Sequence, residues 1–153
     1  MSNVTTIQNS LVTTLETLFP NKTVIPNPFN LEDNNQNLMK NGYGFFYGPA
    51  SLPDFDLGIH IQGYSRDFNV VMTRNVYRTD VSPDPFSTTQ LALIEDQNTL
   101  VNTFADVRNL DQNVVSIEFV SDSGVEFIFA DKNNYLALTT TFAVAYREDK
   151  TYT

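Results

Sequence analysis

The sequence predicts an α+β domain in which two helices pack on an antiparallel β-sheet, with the element order α-β-β-β-α-β-β-β. Three patterns predict it. Two stretches repeat apolar residues at three- and four-residue spacing, several shorter stretches alternate apolar and polar residues, and Pro- or Asn-rich breaks separate them. The 153 residues, with twelve Phe and seven Tyr, can supply one hydrophobic core. We therefore expect residues 1–153 to form a single domain.

The beginning of the chain predicts a helix, a short strand and a loop. Apolar residues recur at helical spacing over residues 5–19, and Pro20 ends the pattern. Residues 23–25 suit a short strand, because two prolines follow shortly after them. Residues 30–41 contain five Asn and few apolar side chains, so we expect a mobile loop there.

Three extended segments follow, over residues 42–48, 57–64 and 68–77. In the third, Phe68 and every second residue after it share one face of the strand. Arg74 and Arg78 fall on that same face. The strand is therefore expected either to bulge near residue 73 or to run past the edge of the core.

Residues 88–107 predict the second helix. Ser87 and Gln90 have the spacing of a capping box, in which each side chain bonds to the other residue's backbone N–H. The apolar stripe of this helix comprises Leu93, Ile94, Leu100, Val101, Phe104 and Val107.

The last third of the chain predicts three strands. Residues 121–124 are expected to form a hairpin loop between the first two, and residues 131–134 a turn before a long strand over 135–147. In this long strand side-chain size sorts by parity, which specifies its register. One face carries Leu136, Leu138, Phe142, Val144 and Tyr146, and the other carries Ala137, Thr139, Thr141, Ala143 and Ala145.

The Ala and Thr face of this strand allows another layer to approach closely. That layer is either one of the chain's own helices or a neighbouring subunit, and the sequence leaves both open. The aromatic residues of segment 42–48 present a similar choice between filling the core and anchoring a partner.

The composition limits the chemistry that the protein can carry out. The chain has no Cys, which excludes thiol catalysis and Cys-based metal sites, and His60 is its only imidazole. Asp54 and Asp56 place two carboxylates on one side of an extended segment, so with His60 they give a metal-dependent hydrolase hypothesis. Pro53 and Gly58 beside them favour a solvated loop instead. We expect no enzymatic activity, no metal and no cofactor.

The net charge of −9 disfavours stable binding to nucleic acid or to anionic membranes. Arg66, Arg74 and Arg78 are the one basic cluster, for which a structural or intersubunit role is favoured over DNA phosphate contacts. No apolar run approaches the length of a membrane span, and residues 1–20 lack the basic residues of a secretory signal. The absence of Cys suits a reducing cytoplasm.

The order of elements resembles that of the tail-terminator family of tailed bacteriophages. The alternating end Thr141–Glu148 is similar to the closing strand of those neck proteins, and the resemblance covers roughly residues 5–148. The extended region 26–57 departs from the family. Related head-completion and other neck proteins share parts of the architecture, and a monomeric cytoplasmic domain that binds a peptide or protein is a further alternative.

The resemblance implies a structural virion protein with no catalytic residues to transfer. Such proteins form a ring, usually a hexamer, that ends the tail tube and docks to the head connector or stopper protein, while DNA passes through the lumen. They are assembled in the host cytoplasm and reside in the tail or neck of the virion. Subunit-interface candidates in this chain are Thr139, Thr141, Ala143, Ala145, Arg66, Arg74 and Arg78.

Overall fold

The computed structural model describes residues 3–51, 61–76, 85–105, 114–130 and 133–149. It confirms the α+β class and the predicted order of elements, and it adds a 3₁₀ turn and a short helix before the second strand. The elements are α1 (Asn3–Leu18), β1 (Thr23–Val24), the 3₁₀ turn (Leu31–Asp33), α2 (Gln36–Met39), β2 (Asn41–Ser51), β3 (Ile61–Asn75), α3 (Pro85–Phe104), β4 (Val114–Asp122), β5 (Glu126–Ala130) and β6 (Asn133–Asp149).

The six strands form one sheet in the order β1-β2-β3-β6-β4, and β5 also pairs with β6. The long strands β3 and β6 lie at its centre and pair from Ile61↔Asp149 to Asn75↔Tyr135 without a shift in register. All pairings are antiparallel except that of β1, which lies parallel to the start of β2. The sheet is therefore mixed at this one edge.

Helices α1 and α3 pack on the same face of the sheet, which we call the helix face. The predicted parity of β6 is confirmed there, because its larger apolar side chains all point into this core. The helices contribute residues at three-, four- and seven-residue spacing, as an amphipathic stripe requires. Buried members of the core include Ile7, Leu11, Leu15, Leu93, Leu100, Phe104, Phe68, Val70, Met72, Leu138, Phe142 and Val144.

Helix α3 begins two residues earlier than the predicted cap. Pro85 opens the helix, where its fixed φ and missing N–H cost nothing, and Ser87 lies inside the first turn. The predicted Ser87–Gln90 capping box is therefore wrong. Of the predicted stripe, Ile94 is exposed at the rim of the helix, and Val107 lies outside the described residues.

The predicted segments 57–64 and 68–77 overlap a single strand, β3, whose described part begins at Ile61. Its register with β6 is continuous, so the predicted bulge near residue 73 is wrong. Arg74 stays in register at the border of the apolar core, where it bonds to the Asp96 carboxylate on α3. Register shifts occur elsewhere, between Tyr47 and Ala50 of β2 and at two places in the pairing of β4 with β6.

The predicted hairpin loop over residues 121–124 is also wrong. Strands β4 and β5 follow one another along the same edge of β6, and each pairs with it in antiparallel fashion. Between them the chain only bends, with Gly124 at a φ of 73° and the Ser123 N–H donating to the Thr139 carbonyl at 2.9 Å. The hairpin lies one element later, where Ala130 pairs with Asn133.

The segment 30–41, predicted to be a loop, contains the 3₁₀ turn and α2. Asn34 is buried, and its side-chain amide donates to the carbonyls of Asn27 and Leu31 at 2.8 and 3.1 Å. Its side-chain oxygen accepts the Asn27 N–H at 2.9 Å. The mobility of this segment stays a prediction.

In the described part of the chain, no helix has the length and apolar character needed to cross a membrane.

Candidate functional site

The face of the sheet opposite the helices, which we call the second face, is covered over only part of its length. Residues 25–40 lie across the end near the start of β6, where Ile25, Met39 and Tyr135 form a small buried cluster. The approach is close: a side chain at Gly44 would meet the Pro28 ring carbon at 3.1 Å. A side chain at this position would therefore be in tight contact with the covering segment.

The rest of the second face, which we call the open half, is formed by the small-residue side of β6 and its neighbours. Thr139, Thr141 and Ala143 are half-exposed, and no helix of the described residues lies over them. Because paired residues share a face, Asp67 on β3 and Glu118 on β4 flank Ala143 from either side. The open half is therefore a band of small side chains with a carboxylate on each flank.

One polar group of this band is paired within the sheet. The Thr141 hydroxyl donates to the Asn69 side-chain oxygen at 2.7 Å. A Cβ at Gly48 would lie 2.9 Å from the Asp67 Cβ, so this corner of the open half has little room for a side chain. Thr141 thus exposes its methyl group on a shallow surface that another protein layer can approach closely.

The structure bears on the alternative that the sequence left open for this face. Both long helices pack on the opposite side, so neither is the layer that covers Thr139, Thr141 and Ala143. Ala145 on the same side of β6 is buried. That a neighbouring subunit contacts these residues stays a prediction.

The three predicted interface arginines do not form one cluster. Arg66 and Arg74 both lie on the helix face, but eight residues apart on one strand, which is about 27 Å. Arg66 donates to the Tyr146 hydroxyl at 3.3 Å and lies 6.0 Å from the centre of the Tyr47 ring. Arg78 lies outside the described residues. A role of these arginines in an interface stays a prediction.

Arg74 belongs to a charge network that ties three elements together. Its guanidinium makes two bonds to the Asp96 carboxylate on α3, at 3.0 and 3.2 Å. Lys22, just before β1, reaches the same carboxylate at 3.0 Å, and its side chain is only 3% exposed. Burial lowers the pKa of Lys22, an effect that the Asp96 charge opposes.

The aromatic residues of segment 42–48 divide between the two faces. Tyr43 is buried in the core, and Phe45 and Tyr47 pack against it with ring centres 5.8 Å from that of Phe68. Burial raises the pKa of Tyr47 to about 12, and the nearby Tyr146 adds to this rise. Phe46 alone contacts an exposed partner, Phe29, at 5.1 Å on the second face. Core filling therefore accounts for three of the four.

Sequence reasoning missed one surface, the aromatic edge of the sheet. Phe127 and Phe129 on β5 are 56% and 60% exposed, although they alternate with other residues as the side chains of a half-buried strand do. Alternation places side chains on one face of a strand, but it does not tell whether that strand lies at an edge. Two nearby acidic residues, Asp122 and Glu126, were the available signal that this part of the sheet meets solvent.

The catalytic candidates fall outside the described residues. Asp54, Asp56 and His60 all lie in the range 52–60, about which the structure gives no description. Among the residues that are described, no group of three or more His, Asp or Glu could hold a metal ion.

A shallow cleft of about 460 Å³ lies between α1 and α3. Threonines line most of it, and their hydroxyls donate to carbonyls four residues earlier in their own helices. The cleft therefore presents mainly methyl groups. Its lining residues are Thr13, Thr14, Thr17, Leu18 and Thr103.

Comparison with known proteins defines the class of fold and little more. No family model matches the sequence, and no curated protein matches it. Among solved structures, the chain is similar to one described as the virion of a native gene transfer agent particle, with a TM-score of 0.53 and 14% sequence identity. The alignment covers 96% of this chain and 97% of that chain. At this identity the likeness shows a shared fold, extending over the full length of both chains.

Proposed function

We propose that this protein is a structural component of a phage-like virion. The observation that carries the proposal is the shared fold with a virion chain, which spans 96% of one chain and 97% of the other. The open half of the second face supports the same role, since a band of small side chains suits a protein contact.

More specifically, we propose that it forms a ring, usually a hexamer in the family it resembles, that ends the tail tube and joins it to the head connector. A cyclic ring requires heterologous interfaces, in which two different surfaces of the subunit meet. The chain offers different surfaces on its two faces and at its two sheet edges. In this proposal the protein has no catalytic role, and it resides at the tail or neck of the virion.

Passage of DNA through the lumen agrees with the charges of the subunit. The net charge is −9, and carboxylates repel phosphate. Lys22 and Arg74 are bonded to Asp96, and Arg66 bonds to Tyr146, so each of these three cations already has a partner within the subunit. A duplex would therefore slide past the ring without being retained.

Native mass spectrometry and negative-stain microscopy test the ring directly. The purified protein, alone or with the tail-tube protein of the same virion, is expected to give a closed ring. A monomer under both conditions would overturn the ring and favour a monomeric binding domain. A ring that binds only the head-side connector would instead identify a head-completion protein.

The contribution of the open half is tested with Thr141→Arg. Because no helix of the described chain covers Thr141, the subunit should keep its circular dichroism spectrum and lose its oligomers. The matched control is Thr99→Arg, an exposed position on α3 that should change neither. If Thr141→Arg unfolds the subunit, the open half is covered within the chain and the proposed contact is wrong.

Duplex DNA binding gives a third test. The isolated protein should show no measurable affinity even at about 50 mM salt, where phosphate contacts are strong. Micromolar binding that weakens steeply with added salt would reject the conduit and assign a nucleic-acid site.

A further inference from the structure

Two edges of the sheet are unpaired within the described chain. At one side β1 covers only Gly42 and Tyr43, so β2 has no strand beside it from Gly44 onward. At the other side β5 pairs with β6 alone. Unpaired strand edges present a row of backbone donors and acceptors that another chain can join.

Exposed apolar side chains of the described residues concentrate at these two edges. Seven of the nine large ones lie on an edge strand or in contact with one. At the β1–β2 edge they are Val24 and Phe29, and at the β4–β5 edge they are Phe119, Val120, Phe127, Phe129 and Phe86, which contacts Phe127.

We propose that β5 of one copy pairs in antiparallel fashion with residues 44–48 of β2 in the next copy, so that the sheet continues from subunit to subunit. This inference rests on the proposed ring and names the contact that closes it. The occupant of each free edge is thus the opposite edge of a second copy.

Strand directions permit this continuation. Strand β2 is antiparallel to β3, β3 to β6, and β6 to β5, so β2 and β5 run in opposite directions within one subunit. Placing a second copy beside the first in the same orientation therefore gives an antiparallel pair. The two edges differ, so the contact is heterologous and can close into a ring.

Charge favours this pairing over that of two identical edges. Joining the β4–β5 edge to its own copy would align two sets of carboxylates, from Glu118, Asp122 and Glu126, along one seam. Residues 44–48 contain no charged side chain, so the acidic edge meets no like charge there.

The length of the free segment fixes the register. Strand β1 blocks residues before Gly44, and Pro49 lacks the N–H that a ladder needs. This leaves five residues of β2 for the five residues of β5.

Antiparallel alignment of residues 44–48 with the five residues of β5 places Phe127 opposite Tyr47 and Phe129 opposite Phe45. All four lie on the helix face, since Phe127 pairs with Leu136, and Phe45 and Tyr47 pair with Val70 and Phe68. Aromatic pairs across neighbouring strands stabilise such contacts. The two exposed phenylalanines of β5 would then be covered.

The natural absence of Cys makes a disulfide test clean. The double variant Phe45→Cys, Phe129→Cys is oxidised as assembled protein and run on a non-reducing gel. Within one chain these positions lie three strand spacings apart across the sheet, about 14 Å, and six residues apart along it, about 20 Å, which is too far for a disulfide. A ladder of covalent oligomers up to the full ring is expected. Phe45→Cys with Phe119→Cys, on the same edge and face but outside the register, should give no ladder.

The outcomes separate this inference from the ring itself. If native mass shows an oligomer but no ladder forms, the edge pairing is wrong and the proposed ring is unaffected. Equal ladders in both double variants would lead to the same conclusion. A monomeric unmodified protein would overturn both proposals.

A second variant guards against a loss of folding at Phe45. Phe129→Asp changes an exposed side chain, so the subunit should stay folded while the oligomer population falls at least tenfold. The control Val120→Asp, also exposed but on β4, should assemble normally. Normal assembly of Phe129→Asp would overturn the pairing.

Discussion

The two faces of the sheet are built from the same strands and differ in how they are covered. On the helix face, side chains of β3 and β6 meet α1 and α3 and are almost completely buried. On the second face, residues 25–40 cover one end, and Thr139, Thr141 and Ala143 at the other end are half-exposed. A one-residue slip would exchange the two sets of side chains, so the helix face fixes the register for both. The second face is thereby free to carry residues that do not contribute to the core.

Truncation on each face should show the largest contrast. Phe142 is buried on the helix face with its ring 5.1 Å from that of Phe104, so Phe142→Ala should lower the free energy of unfolding by about 3–5 kcal/mol. Thr141→Ala, its neighbour on the open half, should cost about 1 kcal/mol, chiefly through the lost bond to Asn69. Urea unfolding measures both. Equal losses would contradict the assignment of one face to the core.

The charge network at the border of the helix face gives the next effect. Asp96→Ala leaves Lys22 buried without its carboxylate and should lower the free energy of unfolding by about 3 kcal/mol. Glu95→Ala, exposed on the same helix, is the control and should be nearly neutral.

The deficit of Asp96→Ala should depend on pH. Burial lowers the pKa of Lys22 in the folded state, and removing Asp96 lowers it further. Between the lowered pKa and the unfolded value near 10.5, the unfolded chain binds more protons, so stability rises with pH in that window. The deficit should therefore shrink as the pH approaches 10.5. A deficit that grows with pH would contradict a buried Lys22.

Sequence patterns predicted the fold correctly where a repeat of apolar residues within one element marks the side of that element that is buried. The alternation of β6 and the helical stripe of α3 each have one apolar side. Both sides were found in the core, except that Ile94 of the stripe is exposed and Val107 lies outside the described residues. Patterns failed where the outcome depends on distant partners. The 121–124 segment has turn residues, but whether it forms a hairpin or a bend depends on which strand its flanks join, and both join β6.

The sequence predicted which residues share the face of the candidate site, but not whether that face is covered. Parity in β6 identified Thr139, Thr141 and Ala143 as one face, but only the packing of α1 and α3 shows which face they leave uncovered. For the arginines, the prediction that they form one cluster was wrong. Arg66 and Arg74 are near in sequence and share a face, yet an extended strand separates them by about 27 Å.

The covered end of the second face should respond to Asn34→Ala. The loss of the buried amide removes its bonds to Asn27, Asn30 and Leu31, and about 1–3 kcal/mol of stability should go with it. Hydrogen exchange should also accelerate over residues 27–39. Asn37→Ala, an exposed control, should change neither. If the amides of 30–41 already exchange at the rate of an unfolded chain before mutation, the segment is mobile and the change will have no effect.

The smallest effect is expected at the bend between β4 and β5. Hydrogen bonds from the Gln97 side chain and from the Gly124 N–H lower the pKa of Asp122. Gln97 also donates to the hydroxyl of Thr140, which is buried and pairs with Asp122. Gln97→Ala should therefore raise the pKa of Asp122 toward its ordinary value of 3.8. Gln90→Ala, at an exposed position about two turns earlier on α3, should leave that pKa unchanged. Because the folded pKa is depressed, the stabilisation from these bonds is present at neutral pH and is lost as the pH falls through that pKa.

NMR titration of the Asp122 carboxyl carbon measures the shift directly. An unchanged pKa in Gln97→Ala would show that the Gly124 N–H alone holds the carboxylate, and that α3 does not brace this edge of the sheet.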